Sequence, residues 1–189
     1  MADKVARPWA GKIIVLLAAL VWPGLASADG YRGQPFSAEA WFGTEETLEL
    51  RYRLSVGTTG YRLETVRPVQ GPDIIIAQFA VPQFIYIDLD NGSVNFLPMG
   101  DDDWGRFHGV ACADFEYRRR LGDGDVAGRP AEIWQCIGST RFKPDTKIWW
   151  DPVLGYEIRS DEQGYITELR NIVPGEPDAA LFQPPGTGN

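Results

Sequence analysis

Few side chains of this chain have types and spacings suited to chemistry, and they do not combine. There is one histidine, His108, next to Gly109 in a segment that reads as a loop. A Ser-His-Asp or Cys-His arrangement would have to be built on it, yet no nucleophile occupies a strand-turn-helix elbow. A single histidine also leaves no His-rich metal site. Asp101-Asp102-Asp103 offers hard oxygens to a divalent cation. Neighbouring side chains on an extended backbone diverge, however, and the alternating ligand spacing of a calcium loop is missing, so a solvated acidic turn is expected. The same reading applies to Gly122-Asp123-Gly124-Asp125. No Gly-Lys-Ser phosphate cradle occurs, and no dinucleotide fingerprint follows a strand into a helix. Carboxylates are plentiful, but nothing in their spacing builds a glycosidase pair. The expectation is a non-enzymatic protein with no catalytic residues, no metal and no cofactor.

The two cysteines, Cys112 and Cys136, bear on compartment rather than catalysis. Lys4, Arg7 and Lys12 open the chain, Ile13 to Leu20 forms an apolar run too short to span a bilayer, and Ala26-Ser27-Ala28 gives a small-residue cleavage pattern. Residues 1–28 therefore read as a secretory signal peptide, with cleavage expected after Ala28 and no lipidation cysteine behind the apolar run. A retained anchor with Trp22 and Pro23 at the interface is the rival reading. An even cysteine count in the oxidising periplasm predicts one disulfide, Cys112 to Cys136. Closing a loop of about 25 residues stabilises by roughly 3 to 3.5 kcal/mol on the chain-entropy model. The spacing fits neither a redox C-x-x-C nor a four-ligand zinc site.

Removing 28 of 189 residues leaves a mature chain of 161, read as a single domain over residues 29–189. No later stretch is long and apolar enough to span a membrane, so the mature chain is expected to be soluble. The 18 basic and 26 acidic residues become 15 and 25 once Lys4, Arg7, Lys12 and Asp3 are removed. That acidic balance argues against nucleic acid and against anionic membrane surfaces.

The elements that must position any site are strands. Leu48, Leu50, Tyr52, Leu54 and Val56 alternate with polar residues over 47–56, and Phe36, Ala38, Ala40 and Phe42 do the same before a hairpin connection at Gly43-Thr44-Glu45. Further strands are expected over 61–66, 73–79, 84–89, 93–97, 131–138, 146–150, 155–159 and 165–173. Asp90-Asn91-Gly92 is a strong hairpin signal. Residues 99–109 read as an Asp- and Gly-rich loop, 112–121 as one short helix, and 122–130 as a polar loop. Some ten antiparallel strands must close, curl or be covered. A mainly β protein follows: a strongly curved antiparallel sheet, an open half-barrel of ten or eleven strands, with one or two short helices over its concave face. Trp41, Tyr52, Phe84, Tyr86, Phe96, Trp134 and Trp150 are the aromatic residues expected to line that face, as a hydrophobic binding cavity or as ordinary core.

Val126-x-Gly128 leading to Trp134, then Ile148-Trp149-Trp150-Asp151-Pro152-x-x-Gly155, then Ile172-x-x-Gly175-x-Pro177-x-x-x-Leu181-Phe182-x-Pro184-Pro185-Gly186, resemble the outer-membrane lipoprotein carrier (LolA/LolB-like) superfamily. Phe36-Ser37-Ala38-Glu39 and the passage from Phe84-Ile85-Tyr86 to Phe96-Leu97-Pro98-Met99 are similar to it in layout. The resemblance implies an eleven-stranded half-barrel with helices over its open side and a cavity that accepts acyl chains. The chain departs from that pattern in having little helix for a lid and no evident basic hook. The function expected is a periplasmic, non-enzymatic binding or carrier protein for a lipid or lipidated protein. The alternative is a structural or interaction protein of the cell envelope that docks a protein partner.

Overall fold

The computed structural model describes residues 31–66, 71–138 and 144–184; the expected signal peptide over residues 1–28 and Pro185-Gly186 lie outside the described residues. Eleven strands are present: β1 (Phe36–Gly43), β2 (Glu49–Val56), β3 (Gly60–Thr65), β4 (Ile74–Gln78), β5 (Gln83–Asp88), β6 (Ser93–Pro98), β7 (Tyr117–Val126), β8 (Arg129–Ile137), β9 (Thr146–Asp151), β10 (Tyr156–Glu162) and β11 (Tyr165–Pro174). They form one open, curved antiparallel sheet in the order β6-β5-β4-β3-β2-β1-β11-β10-β9-β8-β7. The first and last strands pair at its centre, and two meanders run outward from that seam to the edges β6 and β7.

Register assigns the two faces. Phe36, Ala38 and Ala40 of β1 share a face with Val56, Leu54 and Tyr52 of β2, and through them with Tyr61 and Leu63 of β3, Ala77 and Ile75 of β4, and Phe84 and Tyr86 of β5. This is the inner face, and its side chains form most of the main buried cluster. The Ile74-Ile75-Ile76 run does not alternate in polarity because both faces are apolar there. Ile74 and Ile76 turn outward to Ile85 and Ile87 and form a second cluster closed by Phe182.

Two expected features differ in the structure. Residues 112–121 are not a helix: Cys112 to Phe115 is a turn, and Tyr117 begins β7. From Tyr117 onward the backbone is extended because β8 supplies its pairing partners, beginning with Ile137 opposite Tyr117. Residues 122–130 are not a loop but the long β7-β8 hairpin, turning at Ala127 (φ 51°) and Gly128 (φ 82°). Their polarity comes from β7 being a solvated edge strand, not from an absence of structure. Of the two short helical elements, the 3-10 turn at Asp101–Phe107 lies over the inner face, whereas the 3-10 turn at Ala179–Phe182 packs on β3 and β4 from the other side. The C-terminal segment therefore seals the first meander.

Candidate functional site: the inner face and its strap

One connection joins the two edges of the sheet. Residues 99–116 leave β6, cross the inner face and enter β7. Met99, Trp104 and Phe107 sit in or against the main cluster, and Phe107 is fully buried. Its ring centroid lies 5.5 Å from that of Tyr61, 4.9 Å from Phe79 and 6.4 Å from Trp104. Trp104 and Phe107 are three residues apart within a 3-10 turn, a spacing that puts two side chains on one side. Here that side faces the sheet.

A backbone junction holds the middle of this strap. The Arg32 amide donates to the Phe107 carbonyl at 3.3 Å. Beyond it, Gly33, Gly109 and Gly155 meet. A Cβ on Gly155 would lie 3.0 Å from the Gly33 Cα and 3.4 Å from the Gly109 Cα, and Gly109 and Gly155 have φ near +69° and +63°. A Cβ on Gly33 would lie 1.6 Å from the Leu154 carbonyl oxygen, so no side chain is accommodated there. The Tyr31 hydroxyl donates to that same carbonyl. Burial, with the Asp151 carboxylate as a second cause, pushes the Tyr31 phenol well above its ordinary value.

At its far end the strap is bonded to the sheet. Cys112 and Cys136 form a disulfide with Cα atoms 5.4 Å apart, packed with Ala111, Ile148 and Trp150 and flanked by Phe115 and Trp134. Arg118 donates to the Ala111 carbonyl at 2.8 Å and stands 5.6 Å from the Trp134 ring centroid. A cavity of about 230 Å³ remains between strap and sheet, lined by Val110, Ala113, Phe115, Ile148, Trp150 and Tyr156 among others. A wider, open hollow of about 490 Å³ lies between Pro72, Tyr86 and Leu97.

The seven aromatic residues expected to line a cavity divide between the faces. Tyr52 and Phe84 pack against the main inner cluster, and Tyr86 borders the open hollow. Trp134 and Trp150 belong to the cluster around the disulfide, on the same face, since Trp134 pairs with Ile148, Ile148 with Ser160, Ser160 with Thr167 and Thr167 with Phe42. Trp41 and Phe96 are on the other face. Trp41 is opposite Glu168 where its neighbour Ala40 is opposite Leu169, and Phe96 is opposite Ile85 and 54% exposed. In both strands large residues occur at consecutive positions, so aromatic content alone does not say which one turns inward. Trp104 and Phe107 were not foreseen because an Asp- and Gly-rich segment reads as loop. The signal available was the apolar i, i+3 pair within it.

The outer face carries its own ordered row. Trp41, Glu168, Arg159, Trp149 and Ile133 are successive cross-strand neighbours on β1, β11, β10, β9 and β8. Arg170 lies 4.7 Å from the Trp41 centroid and donates to Glu168 at 2.7 Å; Arg159 lies 5.1 Å and Lys147 4.6 Å from the Trp149 centroid. Burial works to lower the Arg159 pKa, but its bonds to Glu45 and Glu168 outweigh that and hold it above its ordinary value. The row is a charge-satisfied brace. It leaves Trp149 and Trp150 facing opposite sides, as the strand period requires. His108 is exposed on the strap, and among the described residues no group of three His, Cys, Asp or Glu side chains is placed to hold a metal ion.

No protein-family model and no curated protein sequence matches the chain. Solved structures do. An uncharacterized conserved protein from Thermus thermophilus is superposable at TM-score 0.55 with 13% identity, over 82% of this chain and 88% of its own. MucB, in the MucA/MucB complex from Pseudomonas aeruginosa, matches at TM-score 0.51 with 15% identity, over 85% of this chain; this chain spans 58% of MucB. A LolA superfamily protein from Nitrosomonas europaea aligns over 83% of this chain and 94% of its own at TM-score 0.38 and 9% identity. Among the described residues no helix is long and apolar enough to cross a membrane. An open, curved, eleven-stranded antiparallel sheet with a covered inner face is the architecture that the sequence motifs implied, and the chain shares its fold with the Thermus thermophilus protein and MucB.

Proposed function

We propose that this chain is an exported, non-enzymatic binding protein of the periplasm that takes an apolar ligand, a lipid or the acyl chains of a lipidated protein, on the inner face of its sheet. One observation carries the reading. The inner face is apolar along the first meander and around the disulfide, and what covers it is not a packed helical layer but an irregular strap whose Trp104 and Phe107 rings occupy the space. The cavity left beside the disulfide, about 230 Å³, is below the roughly 300–1,000 Å³ of ordinary small-molecule sites. The hollow of about 490 Å³ beside Tyr86 is open to solvent, so on this reading a ligand enclosed beneath the strap displaces those two rings. Tyr52, Phe84, Tyr86, Trp134 and Trp150 are the inner-face side chains that would meet it. Each buried methylene contributes about 0.8 kcal/mol, so an acyl chain of modest length repays displacement of the rings without a polar anchor.

The mature chain, exported and purified without delipidation, is expected to carry a co-purified lipid mass in native mass spectra. After delipidation it is expected to take up a fluorescent fatty acid. A bare polypeptide mass together with no uptake overturns the proposal.

A further inference from the structure

The two edges of the sheet differ in chemistry. β7 carries Arg118, Arg119, Arg120, Asp123 and Asp125, the charged guard that keeps foreign strands from pairing with an open edge. β6 reads Ser-Val-Asn-Phe-Leu-Pro: it has no charge and is exposed along nearly its whole length. Val94 is 39%, Phe96 54% and Leu97 52% exposed, and among the described residues the strand pairs with β5 alone. In an antiparallel ladder, alternate N–H and C=O groups of such a strand point away from the sheet. Phe96 and Leu97 extend apolar surface on both sides of that row, Phe96 continuing the Ile85 side and Leu97 bordering the open hollow with Tyr86.

We propose that β6 is a docking edge, which takes as a twelfth strand an extended segment of a partner protein, apolar at alternate positions and flanked by lysine or arginine.

The flanking charge decides the occupant. From Asp73 to Asp103 the chain has no lysine or arginine and six aspartates: Asp73, Asp88, Asp90, Asp101, Asp102 and Asp103. They bracket β6, with Asp88 and Asp90 before it and Asp101 to Asp103 after it. A second copy paired antiparallel through β6 would bring its Asp88–Asp90 turn beside the segment after the first copy's β6, which is acidic in sequence. Like charge would then oppose like charge at both ends of the seam. A basic-flanked segment meets the opposite sign at both ends. Main-chain hydrogen bonds supply its affinity, and the hollow beside Tyr86 and Leu97 receives one of its alternate side chains.

The probe is a fluorescein-labelled peptide, Lys-Lys-Val-Thr-Val-Thr-Val-Lys-Lys, titrated by anisotropy against the exported mature chain; the comparison peptide has Glu at all four Lys positions. The lysine peptide is expected to bind, more weakly as salt is raised, and the glutamate peptide to bind at least about tenfold more weakly, a difference of about 1.4 kcal/mol. Val94→Lys is expected to weaken the lysine peptide by a similar factor. A charge on the opposite edge, Tyr117→Lys, is expected to leave binding unchanged, and the thermal midpoints of both variants report that they fold. Amide exchange in the complex is expected to slow at residues 93–98. Equal binding of the two peptides, no binding of either, or an unaltered titration with folded Val94→Lys overturns the proposal. So does a dimer in sedimentation that Val94→Lys dissolves, since the occupant would then be a second copy.

Discussion

Phe107→Ala separates a ring that merely fills the core from a ring that holds a ligand's place. The Phe107 side chain has no solvent exposure and touches Tyr61, Phe79 and Trp104. Truncating a buried phenylalanine costs about 3–5 kcal/mol in lost transfer energy and cavity formation. For a domain of this size each kcal/mol moves the thermal midpoint by about 2–4 °C, so the expected fall is about 6–20 °C. Phe36→Ala, equally buried but on β1 of the sheet, is expected to fall comparably. The two variants differ in binding. If a ligand must displace the Phe107 ring, removing it relieves the ligand of that work, and even about 1.4 kcal/mol of it tightens binding tenfold. Titration with a fluorescent fatty acid, well below both midpoints, is therefore expected to show at least about tenfold tighter binding for Phe107→Ala and no gain for Phe36→Ala. Equal affinity of the Phe107 variant and the parent, or an equal gain in both variants, refutes the reasoning.

Three further outcomes are expected. Phe182→Ala removes a ring that is 1% exposed, set against the backbone of Gly57 and Gly60 and the four isoleucines of the outer cluster; it should cost about 3–5 kcal/mol in urea unfolding, and a loss below about 1 kcal/mol would show the C-terminal segment to be incidental. Because the folded state raises the Tyr31 phenol above its ordinary value near 10, the unfolded chain releases that proton first, and stability falls as pH rises above 10 by up to about 1.4 kcal/mol per unit for this one group. Tyr31→Phe should cost about 1 kcal/mol at neutral pH and flatten that alkaline slope; an unchanged slope would contradict the burial of the phenol. Glu168→Gln leaves Arg159 and Arg170 beside a neutral amide in a buried position, and should cost about 3 kcal/mol, the low end for breaking a buried pair because Glu45 still meets Arg159.

Much of the fold was legible because the sheet obeys the two-residue period almost everywhere. Phe36 to Phe42 and Leu48 to Val56 show their buried side directly, and Asp90-Asn91-Gly92 marks its hairpin through Gly92 (φ 69°) and the Asp88 carboxylate, which accepts from the Asp90 and Asn91 amides. The errors fall where another rule overrides the period. β7 is polar because it is an edge, and polarity was read as loop. The Ile74-Ile75-Ile76 run buries both faces, so it said strand without saying which residues turn inward. The inner-face assignment failed at Trp41 and Phe96 for a related reason: register is fixed by pairing across the sheet, and local sequence does not show it. The strap escaped because its anchors are tertiary. Three glycines from three distant segments meet there, and neither Trp104 nor Phe107 stands in a periodic stretch long enough to signal burial.

The strap also makes the sheet's two edges mechanically dependent. Laid flat, eleven strands would separate β6 from β7 by ten spacings of about 4.8 Å, some 48 Å. The link between them is only residues 99–116, shortened by a 3-10 turn that advances about 2 Å per residue and by the turn at Cys112 to Phe115. It acts as a bowstring across the bow of the sheet, tied by chain continuity at one limb and by the disulfide at the other. Breaking Cys112–Cys136 would release the far end of the strap from β8 without removing any strand pairing, so the link between the edges would then rest on chain continuity alone.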